Sequence, residues 1–265
     1  MNNEQFFEAN RALWNSRVSK HISSDFYSVD AFRSGKTSLN APELALLPDL
    51  EGKSLLHLQC HFGMDTLSLA RMGAEVTGVD LSDEAIAAAE QLRDETGLKG
   101  RFIACNVYDL PQHLDEQFDF VFTSYGTIGW LPDLDRWAAL ILRSLKPGGR
   151  FIIADFHPVV WMFDEQLENV KYHYFNKEVI ESEVNGSYAA RENGDSKKEY
   201  GWNHSFGEIF SALLKSGLTI THFEEYPYSP YNCFQNLVQR EDGMWVHKTH
   251  GEKLPMMYTL IATRP

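Results

Sequence analysis

The chain has 265 residues, of which 43% are hydrophobic and 23% charged, values that are ordinary for a globular protein and allow a substantial core. With 24 basic and 37 acidic side chains its net charge is −13, which disfavours nucleic acid or an anionic membrane as a partner. No segment reaches 18 apolar residues, and the start Met1-Asn-Asn-Glu is neither basic nor apolar. We therefore predict neither a membrane span nor a secretory signal.

Cysteine usage points to a reducing compartment. The three cysteines, Cys60, Cys105 and Cys233, are odd in number and far apart, and no two of them form a C-x-x-C pair. Such spacing does not predict a disulfide framework, and a cytoplasmic protein is expected.

Helix and strand patterns alternate through most of the chain. An amphipathic pattern opens the chain, and proline at position 42 fits the first turn of a short second helix. Ser82 and Ser205 are predicted to cap helices, and Gly97 and Gly217 to end them. In chain order, helices are predicted at residues 1–18, 42–47, 65–71, 83–95, 133–145 and 206–215, and strands at 54–58, 75–79, 101–105, 118–123, 150–155, 218–225 and 256–263.

This alternation predicts an α/β fold with a doubly wound, mainly parallel sheet of seven strands. The segment 157–204 departs from it, because its residues are β-prone and Asn185-Gly186 is a strong hairpin signal. We expect a single domain, in which 41–156 and 205–265 form the core, 157–204 an inserted β-rich cap with a second turn at 191–198, and 1–40 a helical lid.

The segment 53–80 has the layout of a nucleotide-binding βαβ unit. An apolar strand runs into a polar loop that ends at Gly63, a helix follows, and the next strand ends at Asp80. A carboxylate at that strand tip can accept hydrogen bonds from ribose hydroxyls. Because ligands of such sheets bind at the carboxyl ends of the strands, we expect the site at this edge.

The loop of this unit excludes several nucleotides. Gln59 and His61 stand where a pyrophosphate-binding loop would have glycines, which argues against NAD and FAD as ligands. The chain has no Gly-x-x-x-x-Gly-Lys-Ser/Thr sequence, so a triphosphate cradle is excluded as well. The remaining possibility is a site for adenosine without phosphates.

Five motifs in order resemble those of the class I (Rossmann-like) S-adenosylmethionine-dependent methyltransferases. The resemblance is close over residues 53–155 and looser over the last helix and strands. The matching segments are Ser-Leu-Leu-His-Leu-Gln-Cys-His-Phe-Gly63, Val76-Thr-Gly-Val-Asp80-Leu-Ser, Cys105-Asn106-Val107-Tyr-Asp109-Leu-Pro, Phe118-Asp-Phe-Val-Phe-Thr-Ser-Tyr125 and Leu145-Lys-Pro-Gly-Gly-Arg-Phe151.

The resemblance implies S-adenosylmethionine as the cofactor and a role for each matching residue. Asp80 would bind both ribose hydroxyls, and Asn106 would stand in for the usual aspartate near the adenine amine. Two departures are His57, at a position that is usually acidic, and His61, which replaces a glycine. The other implied contacts are Gln59, Cys60 and Gly63 with the methionine part and ribose, Leu81 with adenine, Val107 as a backbone donor, and Ser124 and Tyr125 beside the sulfonium.

Several of these residues have a structural alternative. Asn106 can cap a turn through its own backbone, and Cys60 and Cys105 are more typical of packing than of nucleophiles. His57, in the middle of a strand, is more typical of a hydrogen-bonded core histidine than of a ligand.

A sulfonium methyl group is a strong electrophile, so the enzyme's main tasks would be to align the acceptor and exclude water. A general base is needed only for a protonated acceptor, and the candidates are His157, Tyr125 and His204. No spacing of His, Cys, Asp and Glu matches a metal-ligand motif, and no metal is expected.

Three functions remain open. The first is O- or N-methylation of a small-molecule acceptor, for which the aromatic residues of 1–40 and 157–204 would form a closed pocket. The second is methylation of a protein, and the third is S-adenosylmethionine binding without methyl transfer. The hairpin of the insertion could fold over its own cleft or pair with a second subunit, so a monomer and a homodimer are both compatible with the sequence.

Overall fold

The computed structural model describes residues 3–175, 178–190 and 196–265. The helices are α1 Glu4–Ile22, α2 Val29–Arg33, α3 Ala41–Leu46, α4 Met64–Arg71, α5 Asp83–Thr96, α6 Leu134–Ser144 and α7 Phe206–Ser216. The strands are β1 Ser54–Leu58, β2 Glu75–Asp80, β3 Arg101–Ala104, β4 Phe118–Ser124, β5 Leu145–Phe156, β6 Ile180–Val184, β7 Lys197–Gly201, β8 Thr219–Tyr226, β9 Leu237–Gln239, β10 Trp245–His247 and β11 Met257–Thr263.

A seven-stranded sheet in the order β3-β2-β1-β4-β5-β11-β8 forms the centre of the molecule. The first five strands are parallel, and β11 runs antiparallel to both β5 and β8. The central strands β1 and β4 are buried because helices pack on both faces of the sheet. The order reverses next to β1, so the ends of β1, β2 and β4 border one crevice. The predicted fold class is confirmed.

Local caps explain why the core helices begin and end where the sequence predicts. The side chain of Ser82 accepts a hydrogen bond from the backbone of α5, and Ser205 does the same for α7. Gly97 and Gly217 end these helices in the left-handed conformation, with φ of 66° and 102°.

The inserted segment contains the predicted antiparallel hairpin, but its turn differs from the prediction. Val184 of β6 pairs with Lys197 of β7, so the connection is residues 185–196 and Asn185-Gly186 is not a two-residue turn. Gly186 instead presents its carbonyl oxygen to Arg17 of α1. Most of the second turn predicted at 191–198 lies outside the described residues, because 191–195 are not described.

A second small hairpin was not predicted. Strands β9 and β10 pair antiparallel between β8 and β11. Each has three residues, too few for an alternating pattern to be evident in the sequence.

The first helix lies across the carboxyl edge of the sheet, where it contacts β7 and α5. It runs four residues past the predicted end, to Ile22. Asn10 donates through its Nδ2 atom to the oxygen of Tyr200 (2.8 Å) and accepts from the nitrogen of Tyr200 (3.0 Å), which joins α1 to β7. None of the helices in the described ranges is long and apolar enough to cross a bilayer.

Candidate functional site

A cavity of about 490 Å³ lies at the carboxyl ends of β1, β2 and β4. Its inner wall is formed by the loops after these strands, and its outer wall by α1, the segment after it and the two loops that carry Tyr188 and Tyr231. The eight residues predicted to contact the cofactor all line it: Gln59, Cys60, Gly63, Asp80, Leu81, Asn106, Val107 and Ser124.

Asp80 ends β2 at the cavity wall. Its Oδ2 atom accepts a hydrogen bond from the backbone nitrogen of His61 (2.8 Å) and its Oδ1 atom one from that of Ser82 (2.8 Å). These bonds fix the carboxylate, and each oxygen keeps a lone pair for a further donor. Burial raises the pKa of Asp80 to about 6, although the backbone donors act in the opposite direction.

The loop after β1 holds non-glycine residues in a conformation that glycine favours. Gln59 and His61 have φ of 56° and 51°, which costs on the order of 1–2 kcal/mol for each residue. The Gln59 amide donates to the oxygen of Thr127 (2.8 Å), and its buried Oε1 atom accepts no hydrogen bond from the described residues. Backbone strain of this kind is often found at functional sites.

Gly63 brings this loop against the helix layer. A Cβ atom there would lie 2.8 Å from Cβ of Ala89 and 2.8 Å from the ring of Phe102, and φ of Gly63 is 79°. Only glycine therefore fits at this position, from which α4 begins.

His61 joins three distant segments at the cavity. Its Nε2 atom lies 2.9 Å from Nδ1 of His21, and Nε2 of His21 lies 2.8 Å from Oγ of Ser187. Burial lowers the pKa of His61 well below its usual value and, together with the charge of Arg17, lowers that of His21 to about 3. Both rings are therefore neutral at pH 7, and they connect the β1 loop, α1 and the 185–190 segment.

The part of the cavity beyond the ends of β2 and β3 is apolar except for Asn106. Leu81 and Val107 line it together with Phe7 of α1. The Oδ1 atom of Asn106 accepts from the backbone nitrogen of Tyr108 (3.1 Å) and so caps a short 3₁₀ turn. Asn106 therefore caps a turn, as the structural alternative predicts. Its Oδ1 atom keeps one lone pair that can accept a second hydrogen bond.

Beyond the β4 end, two acidic groups lie at the cavity or behind its wall. Asp65 accepts from the hydroxyl groups of Ser38 (2.6 Å) and Ser124 (3.1 Å), and burial raises its pKa. Tyr125 lines the cavity and donates its hydroxyl proton to Glu43, a fully buried residue of α3. No ion-pair partner is found for Asp65 or Glu43 among the described residues.

Aromatic rings complete this end of the cavity. The hydroxyl groups of Tyr27 and Tyr188 are hydrogen-bonded to each other, and Phe26 packs edge-on against Tyr188 and Tyr231. The ring of Tyr231 also contacts that of Tyr125. Four separate chain segments therefore build one apolar wall.

His157 and His204, predicted as candidate bases, do not line the cavity. The Nε2 atom of His157 lies 2.7 Å from Oε1 of Glu225, and its Nδ1 atom accepts from the nitrogen of Val159. Burial lowers the pKa of His157. The Nε2 atom of His204 lies 2.7 Å from the oxygen of Leu131. The positions of both histidines correct the expectation that they act as bases: each ring is hydrogen-bonded to neighbouring parts of the fold, and neither ring lines the cavity. Tyr125, the third candidate base, does line it.

His57 and the cysteines have structural surroundings. His57 is buried and its Nδ1 atom lies 2.8 Å from Oγ1 of Thr66. Burial raises the pKa of Cys60 and Cys105, which keeps both thiols protonated. Over the described residues, no three His, Cys, Asp or Glu side chains are grouped to hold a metal ion.

The residues at the cavity or next to it that sequence reasoning missed include Glu43, Asp65, His21 and Tyr188. Asp65 could have been found, since it is the second residue of the helix that follows the βαβ loop. The others lie far from the motifs in sequence, and only the tertiary structure brings them to the site.

Comparisons with known proteins agree with this architecture. Residues 56–153 match the family model described as "Methyltransferase domain". A ubiquinone biosynthesis O-methyltransferase of Pseudomonas syringae pv. tomato is 30% identical over 117 residues, which are 43% of this chain and 50% of that protein. An uncharacterized protein of Haemophilus influenzae is 29% identical over 178 residues, 60% of this chain and 69% of that protein. The chain thus spans about half the length of the curated O-methyltransferases that it matches.

Solved structures share the fold. A putative S-adenosylmethionine-dependent methyltransferase from Listeria monocytogenes superposes with a TM-score of 0.58 at 21% identity, covering 89% of this chain and 99% of the other. A geranyl diphosphate C-methyltransferase from Streptomyces coelicolor, crystallised with S-adenosyl-L-homocysteine, has a TM-score of 0.60 at 16% identity and covers 98% of both chains. Identities this low establish the fold alone.

Proposed function

We propose that this chain carries a domain of the class I, Rossmann-like family of S-adenosylmethionine-dependent methyltransferases. On this premise, it transfers a methyl group from S-adenosylmethionine to an oxygen or nitrogen atom of a small-molecule acceptor. The observation that carries the proposal is the carboxylate of Asp80, held at the cavity wall by the backbone nitrogens of His61 and Ser82.

The residues present fit an adenosyl cofactor. Asp80 has free lone pairs for two ribose hydroxyls, and the unpartnered Oε1 atom of Gln59 offers a buried acceptor in the adjoining loop. Leu81 and Val107 provide apolar surface suited to adenine. Among the residues that the structure describes, no lysine or arginine forms an ion pair with Asp80, which suits a ligand that carries no phosphate there.

When bound, S-adenosylmethionine supplies a methyl carbon that the adjacent sulfonium makes electrophilic. Asp80 would hold the ribose, and Gln59, Cys60 and Gly63 would line the methionine part. Ser124 and Tyr125 would lie at the end where the acceptor enters. The buried carboxylate of Asp65 would favour positive charge nearby.

A small acceptor is favoured over a protein because of what covers the cavity. Residues 1–40 supply Trp14, Phe26 and Tyr27 to its wall, and the inserted segment supplies Tyr188. We propose that these two segments act as a lid that excludes water, since methyl transfer requires a dry, aligned site. A protein substrate would need a more open cleft.

The test begins with isothermal titration of the purified chain with S-adenosylmethionine and S-adenosylhomocysteine. Both are expected to bind at a single site. The protein is then incubated with S-adenosylmethionine and a panel of phenols, amines and carboxylic acids, and S-adenosylhomocysteine and methylated products are quantified by mass spectrometry. Absence of binding would contradict the proposal, and binding without turnover would favour a non-methylating role.

A further inference from the structure

We propose that Tyr125 and Glu43 form the proton-accepting pair of this cavity, in which Tyr125 contacts the methyl acceptor and Glu43 takes up the proton through it. The inference rests on the proposed methyltransferase function and assigns its acceptors to the class that loses a proton on methylation, such as phenols and amines. In this scheme Tyr125 is a catalytic residue and Glu43 a positioning and proton-storing residue.

Among the described residues that contact Glu43, the hydroxyl of Tyr125 is the group able to relay a proton. Its Oε1 atom accepts from the backbone nitrogen (2.5 Å) and the side-chain nitrogen (2.9 Å) of Asn40. Its Oε2 atom accepts from the hydroxyl group of Tyr125. Because Glu43 has no exposed surface and Tyr125 lines the cavity, the phenolic oxygen is the link between this carboxylate and a bound acceptor.

Tyr125 is held in place by its backbone. It has φ of 48°, a strained value for a side chain of this size, and its nitrogen donates to the oxygen of Ala154 on β5 (2.8 Å). The next residues donate from the nitrogens of Gly126 and Thr127 to the buried carboxylate of Asp155. The ends of β4 and β5 thus fix the direction of the phenol.

The electrostatic surroundings suit proton uptake near neutral pH. Burial, and then the charge of Asp65, raise the pKa of Glu43 to about 7. Burial and the adjacent Glu43 raise the pKa of Tyr125 well above its usual value, so Tyr125 remains a phenol and relays the proton. Helix α3 also packs on β5 and β11, whose titratable groups are Lys146, Arg150, Asp155 and Tyr258. Lys146 pairs with Asp119, Asp155 accepts from backbone nitrogens, and the ring of Tyr258 packs edge-on against that of Phe206.

The proposed step balances as follows. The acceptor's O–H or N–H bond breaks, and an electron pair of the acceptor atom forms a bond to the methyl carbon. The bond between that carbon and sulfur breaks, and its electron pair remains on sulfur. The acceptor proton moves to the Tyr125 oxygen while the Tyr125 proton moves to Oε2 of Glu43. Tyr125 is again a phenol at the end, and Glu43 is neutral.

Two substitutions test the pair, Glu43→Gln and Tyr125→Phe. The chain offers a matched control in an exposed pair outside the cavity, where the hydroxyl of Tyr226 donates to Oε2 of Glu224 (3.0 Å); the control variants are Tyr226→Phe and Glu224→Gln. Infrared difference spectra of the ligand-free protein between pH 5 and 9 are expected to contain a carboxyl band that titrates near pH 7. This band should be absent in Glu43→Gln and titrate at higher pH in Tyr125→Phe.

Kinetics with S-adenosylmethionine and catechol give the second measurement. Wild-type kcat should rise with pH through about 7, because Glu43 must be ionised to accept a proton. Both cavity variants should lower kcat by about 100-fold or more and leave KM for S-adenosylmethionine unchanged, and Glu43→Gln should lose the pH dependence. The control variants should behave as wild type.

A carboxyl band that still titrates near pH 7 in Glu43→Gln, beyond the band of Asp80 near pH 6, would overturn the pair, and so would a kcat that still rises through about pH 7. If catechol gives no product, the infrared titration decides alone. Failure of the wild type to bind S-adenosylhomocysteine contradicts the methyltransferase proposal, whereas normal binding without a Glu43 band contradicts only the proton-accepting pair.

Discussion

Single residues at this site serve both the fold and the cavity. Asp80 and Gly63 could be predicted from the sequence because their positions in a βαβ unit determine their surroundings. The surroundings of His61 could not, since its partner His21 lies 40 residues before it, and Ser187, which contacts His21, lies far after both in the chain. Gln59 and His61 keep the left-handed backbone of a glycine loop, and their side chains are used for contacts that glycine could not make.

Gly63 permits a sharp stability test. Gly63→Ala should lower the free energy of unfolding by about 2–4 kcal/mol, because Cβ would clash with Ala89 and Phe102 at a positive φ. Gly97→Ala is the matched control, since φ of Gly97 is 66° and no atom of the described residues lies within 4 Å of a Cβ there. It should cost only about 1 kcal/mol. Urea unfolding of both variants checks this, and equal losses would show that the close approach at Gly63 is unimportant.

His57 predicts a pH dependence of stability. Burial lowers its folded-state pKa to about 3, whereas its unfolded value is 6.5. Between these values the unfolded chain binds a proton that the folded chain does not, so the folded state loses stability as pH falls below 6.5. From pH 7.5 to 5.0 this amounts to about 2 kcal/mol.

The check is urea unfolding of wild type and His57→Met at both pH values. The wild type should lose about 2 kcal/mol more than the variant on acidification. His113→Gln, at an exposed histidine, should behave as wild type. The same loss in His57→Met would show that other groups cause the pH dependence.

At the scale of elements, predictions succeeded where the signal is local. The ends of α5 and α7 follow from serine caps and glycine stops that belong to the same segment. The turn between β6 and β7 was predicted wrongly, because the loop there contacts α1 through Gly186 and Tyr27 through Tyr188. Contacts with a helix more than 150 residues away override a local turn preference.

The hydrogen bonds that join α1 to β7 lead to a prediction about how fast a ligand dissociates from the cavity. Asn10→Ala removes two hydrogen bonds to Tyr200 and leaves part-buried backbone groups of Tyr200 without these partners, at a cost of about 2 kcal/mol. If α1 acts as a lid, S-adenosylhomocysteine should dissociate about tenfold faster or more. Stopped-flow fluorescence measures this, with Trp14 at the cavity wall as a reporter. Arg11→Ala, at a surface position of the same helix, is the control, and an unchanged rate in Asn10→Ala would argue against a lid.

At the scale of the whole molecule, strand order and the location of the site follow from the alternation of strands and helices. The order of parallel strands places the loops after β1, β2 and β4 at one edge, as predicted. The outer half of the cavity could not be predicted, because Tyr27, Tyr188 and Tyr231 come from three segments without a common motif. Under the proposed function, the methyl acceptor would contact that half.

The central claim is that Asp80 binds the ribose of an adenosyl cofactor, and isothermal titration with S-adenosylhomocysteine tests it most directly. Asp80→Ala should weaken binding by about 2 kcal/mol or more, roughly 30-fold, while thermal unfolding verifies that the variant is folded. Asp94→Ala, at an exposed carboxylate of α5, should bind as wild type does. Unchanged affinity in a folded Asp80→Ala protein would contradict the account.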